Sequence, residues 1–165
     1  MMTDTITPEI IWQALDEVKD PEIPVVSLVE MGIVRDVTVT DEGVVTVKMT
    51  PTFSGCPALE VMRQEIAAKV SALGVTEIKV EIVLNPPWST DWITDEARIR
   101  LHDFGLSPPP RHGGNMQVIL FFDAAACPHC GSTNTTLQNS FGPTLCRAIY
   151  TCNDCREPFE QFKPL

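Results

Sequence analysis

A chain of 165 residues, 44% hydrophobic and 21% charged, can bury the core of one ordinary domain, or of a smaller domain joined to a mini-domain. Its formal net charge of -10, with no local cluster of Lys or Arg, opposes contact with a phosphate backbone and sets nucleic-acid partners aside. No apolar run approaches the ~20 residues of a membrane helix, and residues 1–7 carry neither the basic nor the apolar region of a secretory signal, so the chain reads as cytoplasmic with no membrane partner.

Thr7-Pro8-Glu9 opens the first predicted helix, with Thr as N-cap, Pro at the first position and an acid in the first turn. Ile11, Leu15 and Val18 form its buried stripe, and Asp20-Pro21-Glu22-Ile23-Pro24 ends it, because neither proline continues a helix. Residues 33–40 and 44–50 alternate apolar and polar around Asp41-Glu42-Gly43, which predicts a hairpin. The loop over residues 50–57 leads into a second helix, with Pro57 expected at its first position. Leu59, Met62, Ile66, Val70 and Leu73 mark that helix's buried face, and Gly74 its stop. A third strand carries Ile78, Val80, Ile82 and Leu84. Reached by a helical crossover, it should run parallel to a hairpin strand.

Residues 85–88 close this sheet. A third helix starts at Thr94-Asp95-Glu96, turns Ala97, Leu101 and Phe104 inward and stops at Gly105, with Trp88 and Trp92 expected to anchor it on the sheet. Three prolines and two glycines within residues 107–115 read as a linker. The expected organisation is an α/β (α+β) domain over residues 1–106, with a small mixed sheet and packed helices, then this linker, then a β module over residues 116–165. That module should contain a strand over residues 116–122, a hairpin and a last strand near residues 158–162.

Six cysteines in a cytoplasmic chain point to metal or reactive-thiol chemistry rather than disulfides. Cys127-Pro128-His129-Cys130 and Cys152-Asn153-Asp154-Cys155 are two C-x-x-C turns separated by residues 131–151, the spacing of a zinc-ribbon module. Two such turns supply four thiolates to a tetrahedron, and a structural metal would hold together a module too small to do so by its core. Zinc is the expected ion, although iron or an iron–sulfur cluster fits the same sulfurs. His129 then has no vacancy to fill and should face solvent or pack behind the ligands, and Cys146 reads as a small buried side chain, the alternative being a spare thiol that exchanges with a bound cluster.

Cys56 stands apart. In Ser54-Gly55-Cys56-Pro57 it lies at the expected mouth of a helix, where unpaired N–H groups favour a thiolate, and Asp20 and Glu22 are candidate neighbours. A purely structural role is an equal reading for Cys56 and the simpler one for the two acids. A Cys56 nucleophile lacks a partner in sequence, because His102, His112 and His129 all lie far along the chain.

Asp20-Pro21-Glu22-Ile23-Pro24, Met31-Gly32-Ile33-Val34, Thr50-Pro51-Thr52 and Ser54-Gly55-Cys56-Pro57 together resemble the motifs of the MIP18 (DUF59) family, associated with iron–sulfur cluster assembly. With residues 87–92, 104–109 and 152–159 included, the whole chain is similar to a family of accessory subunits of the phenylacetyl-CoA 1,2-epoxidase system. The resemblance implies an MIP18-like domain followed by a zinc ribbon, and a non-catalytic role in maturing a metal centre. Cys56, Asp20 and Glu22 would be a transient iron or cluster site, and the epoxidase components, above all its iron–sulfur and flavin reductase, would be the partners. A scaffold role within the oxygenase complex is the alternative, and a homo-oligomer is left open.

Overall fold

The computed structural model describes residues 6–115, 117 and 124–165. It divides into two compact units, Met1–Trp88 and Ser89–Leu165.

In the first unit α1 (Pro8–Leu15) buries Ile11, Ala14 and Leu15 against α2 and β1. Beyond it, the bonds Glu17 N to Ala14 O (3.2 Å) and Val18 N to Leu15 O (3.0 Å) tighten the chain, so Val18 is buried outside the helix. β1 (Val34–Val39) and β2 (Val45–Met49) pair antiparallel with Val37 opposite Val47, and Gly43 turns between them at φ +83°. α2 (Leu59–Ser71) buries Met62, Ile66 and Val70, then delivers β3 (Ile78–Ile82) parallel to β2, with Val47 opposite Val80. The sheet order is β1-β2-β3, the predicted mixed sheet. Trp88 closes the unit, its indole N–H donating to Met31 O at 2.9 Å.

α2 begins later than its proline suggests. Its N-cap is Ala58, and the preceding residues make tight turns, Cys56 N donating to Phe53 O (3.1 Å) and Leu59 N to Cys56 O (3.2 Å). Pro57, which has no N–H to give, sits inside this turn rather than in the helix.

The second unit starts with a short 3-10 helix, Thr90–Trp92, and α3 (Asp95–Asp103), capped by Thr94 Oγ1 accepting from Ala97 N at 3.2 Å. β4 (Leu106–Ser107), β5 (Thr135–Asn139), β6 (Arg147–Cys152) and β7 (Pro158–Phe162) form a second sheet in the order β4-β7-β6-β5. Its core packs Ala125, Ala148 and a stacked Tyr150–Phe159 pair, rings 5.7 Å apart, around Cys127 and Cys152.

Three sequence expectations are revised here. The units part between Trp88 and Ser89, not after residue 106, because Leu106 and Ser107 pair in parallel with Glu160 and Gln161 and bring α3 with them. The stretch read as a linker is bound within this unit. Arg98 donates to Pro109 O and Thr90 O, and the Asp91 carboxylate accepts from His112 N (2.9 Å) and Gly113 N (2.7 Å). Prolines lack donors but lie readily along a sheet edge, and composition does not distinguish that from a free tether. Phe104 is exposed, since α3 ends at Asp103 and Gly105, at φ +90°, reverses the chain before that ring can turn inward. The strand expected over residues 116–122 lies, residue 117 aside, outside the described residues.

Candidate metal centre and thiol site

The back-half sulfurs converge. Sγ of Cys127, Cys130, Cys152 and Cys155 all lie within 4.8 Å of one another, with Cys127 to Cys155 at 3.7 Å and Cys130 to Cys152 at 3.6 Å. Four bonds of about 2.3 Å to a tetrahedral ion set sulfurs about 3.8 Å apart, whereas a disulfide needs about 2.05 Å. The residues present therefore fit a metal and not a cystine.

Both turns use one backbone device. Gly131 N donates to Cys127 O (2.8 Å) and Arg156 N to Cys152 O (3.0 Å), each from a residue in the left-handed region, at φ +76° and +68°. The turn thus folds back after its second cysteine and aims both sulfurs at one point. Asp154 ties the two turns together, accepting from Ser132 Oγ (2.5 Å) and Asn134 Nδ2 (2.7 Å), bonds that also hold its carboxyl below the ordinary range. Ser132, Asn134 and Asp154 were not singled out in sequence; polar residues immediately beside each C-x-x-C were the available signal.

The thiols divide electrostatically. Backbone N–H groups of Cys155 and Asp154 outweigh burial and draw Cys152 down to about 7. Cys155 receives a bond from the Glu157 backbone, but burial and the sulfurs of Cys152, Cys130 and Cys127 push it up to about 12. Four sulfurs this close cannot all ionise without a cation among them, and a divalent metal supplies it. His129 is exposed, and Cys146, buried with its Sγ 3.1 Å from Thr144 Oγ1, stands outside the group.

The front-half thiol sits differently. Cys56 is half-buried just before α2, with the N–H groups of Ala58 and Leu59 directed at its sulfur. Asp20 and Glu22 act on it electrostatically, so the structure brings together these three residues that sequence proposed. The net effect runs against the sequence expectation. Burial first, and then the two carboxylates, outweigh the N–H groups and push the thiol above its ordinary value, so it stays protonated. Asp20 also organises its loop, Oδ1 accepting from Glu22 N (2.8 Å) and Ile23 N (3.0 Å). Ser27 and Glu30 brace the following turn, Ser27 N donating to Glu30 Oε2 and Glu30 N to Ser27 Oγ, both at 2.9 Å, a reciprocal pair whose signal in the sequence is S-x-x-E.

A serine, a histidine and an aspartate also meet in the second unit. His112 Nε2 lies 3.1 Å from Ser89 Oγ, and Nδ1 3.6 Å from Asp91 Oδ2. Gly114 N donates to Nδ1 at 2.9 Å, which puts the ring proton on Nε2, where it faces Leu165 O at 2.9 Å. In that tautomer the imidazole cannot take a proton from Ser89, and the cluster serves to clasp residues 112–114.

Two known families match the two halves separately. A family described as the PaaD zinc beta ribbon domain matches residues 122–163, and one described as iron-sulfur cluster assembly protein matches residues 8–82. A candidate 1,2-phenylacetyl-CoA epoxidase component from Escherichia coli, the D member of that subunit set, is 44% identical over 153 residues, covering 93% of this chain and 90% of the relative. An Fe–S protein maturation auxiliary factor from Porphyromonas gingivalis is 36% identical over 96 residues, 58% of this chain and 90% of its own length. A DUF59 domain of unknown function from Bacillus anthracis, solved by crystallography, aligns with TM-score 0.54 at 33% identity over 57% of this chain and 90% of that one. The latter two cover only about the share of the chain that the front half occupies, while the Escherichia coli relative covers nearly all of it.

Proposed function

Because the chain belongs to the PaaD family of phenylacetyl-CoA epoxidase components, in which an iron–sulfur-assembly domain precedes a zinc β-ribbon, we propose that it matures or repairs a metal centre in a partner component of that oxygenase. It acts as an accessory protein rather than as the oxygenase itself. The observation that carries this reading is the setting of Cys56: a half-buried thiol, protonated beside Asp20 and Glu22, in a half whose relatives include a named Fe–S maturation factor.

Such a thiol is quiet until a cation arrives. Iron, as cargo, would displace its proton, and the carboxylates that opposed the lone thiolate would then offset the positive charge. Half-burial leaves the sulfur reachable by a client's thiols, so ligand exchange can pass the cargo on. The ribbon would hold zinc through Cys127, Cys130, Cys152 and Cys155, in a purely structural role and with no open position. The client we favour is the iron–sulfur and flavin reductase of the system, in a reducing cytoplasm where a thiol such as Cys56 stays available for exchange.

Replacement of Cys56 by Ser tests this directly. Reductase co-produced with the Cys56→Ser chain should carry severalfold less iron and acid-labile sulfide, with the variant's own fold and ribbon metal retained. Full cluster loading would overturn the proposal. The adaptor reading gains support from Phe141 and Leu145, 65% and 50% exposed on the connection between β5 and β6, and it requires indifference to the same substitution.

A further inference from the structure

Among the described residues the outer edge of β3 is open. Its sheet neighbour among them is β2 alone, and Ile82 and Leu84 are 43% and 55% exposed. Val45 N donates to Glu77 O at 3.0 Å and Val83 N to Met49 O at 2.8 Å, so the odd-numbered residues of this strand turn their backbone groups toward β2. In a parallel pair the alternate residues then turn theirs away. Ile78, Val80 and Ile82 therefore present their N–H and C=O groups at the free edge.

We infer that this edge pairs antiparallel with the same edge of a second copy of the chain, on a twofold axis through Val80. In that register Val80 exchanges both backbone bonds with its own copy, and Ile78 does so with Ile82 of the second chain. The three outward-facing residues are thereby satisfied in one step. Lys79 falls opposite Glu81 of the second chain, and Glu81 opposite its Lys79, in the closely spaced positions between the bonded pairs.

Charge selects this register. A slip by two residues either way sets Lys79 against Lys79 or Glu81 against Glu81, and like charges directly opposite are destabilising. Charges on an edge strand commonly keep copies apart, but alternating signs about a central Val attract under a twofold axis instead. The opposite face of the strand agrees. Ile78 and Val80 line a cleft of about 240 Å³ with Arg63, Gln64 and Ala67 of α2, and the second copy's Ile78, Val80 and Ile82 would extend its apolar floor. Two three-stranded sheets become one of six strands. The contact is small for a specific interface, below about 1,200 Å², so dimerisation should depend on concentration in the micromolar range.

Sedimentation equilibrium of the full chain, from low to high micromolar concentration, reads this out. The natural chain should show a monomer–dimer equilibrium. Lys79→Glu should weaken it about tenfold, since two attractive pairs become repulsive. Adding Glu81→Lys to Lys79→Glu should restore it, because each new Glu again faces a Lys. Val80→Pro should abolish dimers while retaining native circular dichroism, as the N–H it removes points away from β2. A chain that stays monomeric throughout, or a dimer indifferent to both the charge reversal and the proline, would overturn the inference.

Discussion

The two turns at residues 127–130 and 152–155 and the loop before α2 present thiols in opposite electrostatic settings. In the back half four sulfurs crowd within 4.8 Å, and backbone donors draw Cys152 down to about 7 while Cys155 is driven up to about 12. That arrangement is incomplete without a resident cation. In the front half one sulfur faces two carboxylates and stays a thiol, complete as it stands and receptive only to an arriving cation. On the function proposed above, similar ligand atoms would serve architecture in one place and exchange in the other, with the balance of nearby charge, rather than the presence of cysteine, separating the two.

Metal removal should break this comparison most visibly. Stripping the chain with a strong chelator, or replacing Cys152 by Ser, forfeits metal-binding free energy on the order of 10 kcal/mol or more. The ribbon core around Tyr150 and Phe159 should lose its dispersed NMR signals, while those of Val47 and Ile66 persist. Metal analysis should fall from one equivalent to none in parallel. A ribbon that keeps its signals without metal would show that its apolar core suffices alone.

A gentler test sharpens the front-half side. With its value raised by burial and by Glu22 and Asp20, Cys56 ionises above its ordinary 9.0, later than in the unfolded chain. Its contribution to stability is therefore full below the unfolded value and is lost as pH climbs through the folded one. Glu22→Gln removes one opposing charge, so alkylation of Cys56 by iodoacetamide at pH 8 should accelerate a few-fold by peptide mass spectrometry. A slower reaction would place the carboxylate in the opposite role.

Sequence periodicity alone located the front sheet, because Met62, Ile66 and Val70 on α2 and the alternation in β1 and β2 each report burial on one face. The ribbon was equally legible, since spacing fixes how a C-x-x-C turn aims its sulfurs. The ionisation of Cys56 was not. Its sign depends on burial and on two acids more than thirty positions away, distances that no local pattern encodes. The prolines and glycines of residues 107–115 misled for a related reason: their attachment depends on Arg98 and Asp91, whose side chains show no preference for that partner in sequence.

The smallest effect concerns the two turns themselves, which share a backbone device but not a residue. Gly131 adopts φ +76° without penalty, with nothing within 4 Å of where a Cβ would stand, whereas Arg156 holds φ +68° despite its side chain. The left-handed region costs a non-glycine residue about 1–2 kcal/mol, and glycine gives back about 0.5–1 kcal/mol in unfolded-chain entropy. Arg156→Gly should therefore stabilise the metal-loaded protein by roughly 0.5 kcal/mol, and Gly131→Ala should destabilise it by about the same amount. Thermal melts of both variants at equal metal content measure the pair. Opposite signs follow if the turns are equivalent in backbone, and a loss on Arg156→Gly would mean that the arginine side chain contributes more than its backbone strain removes.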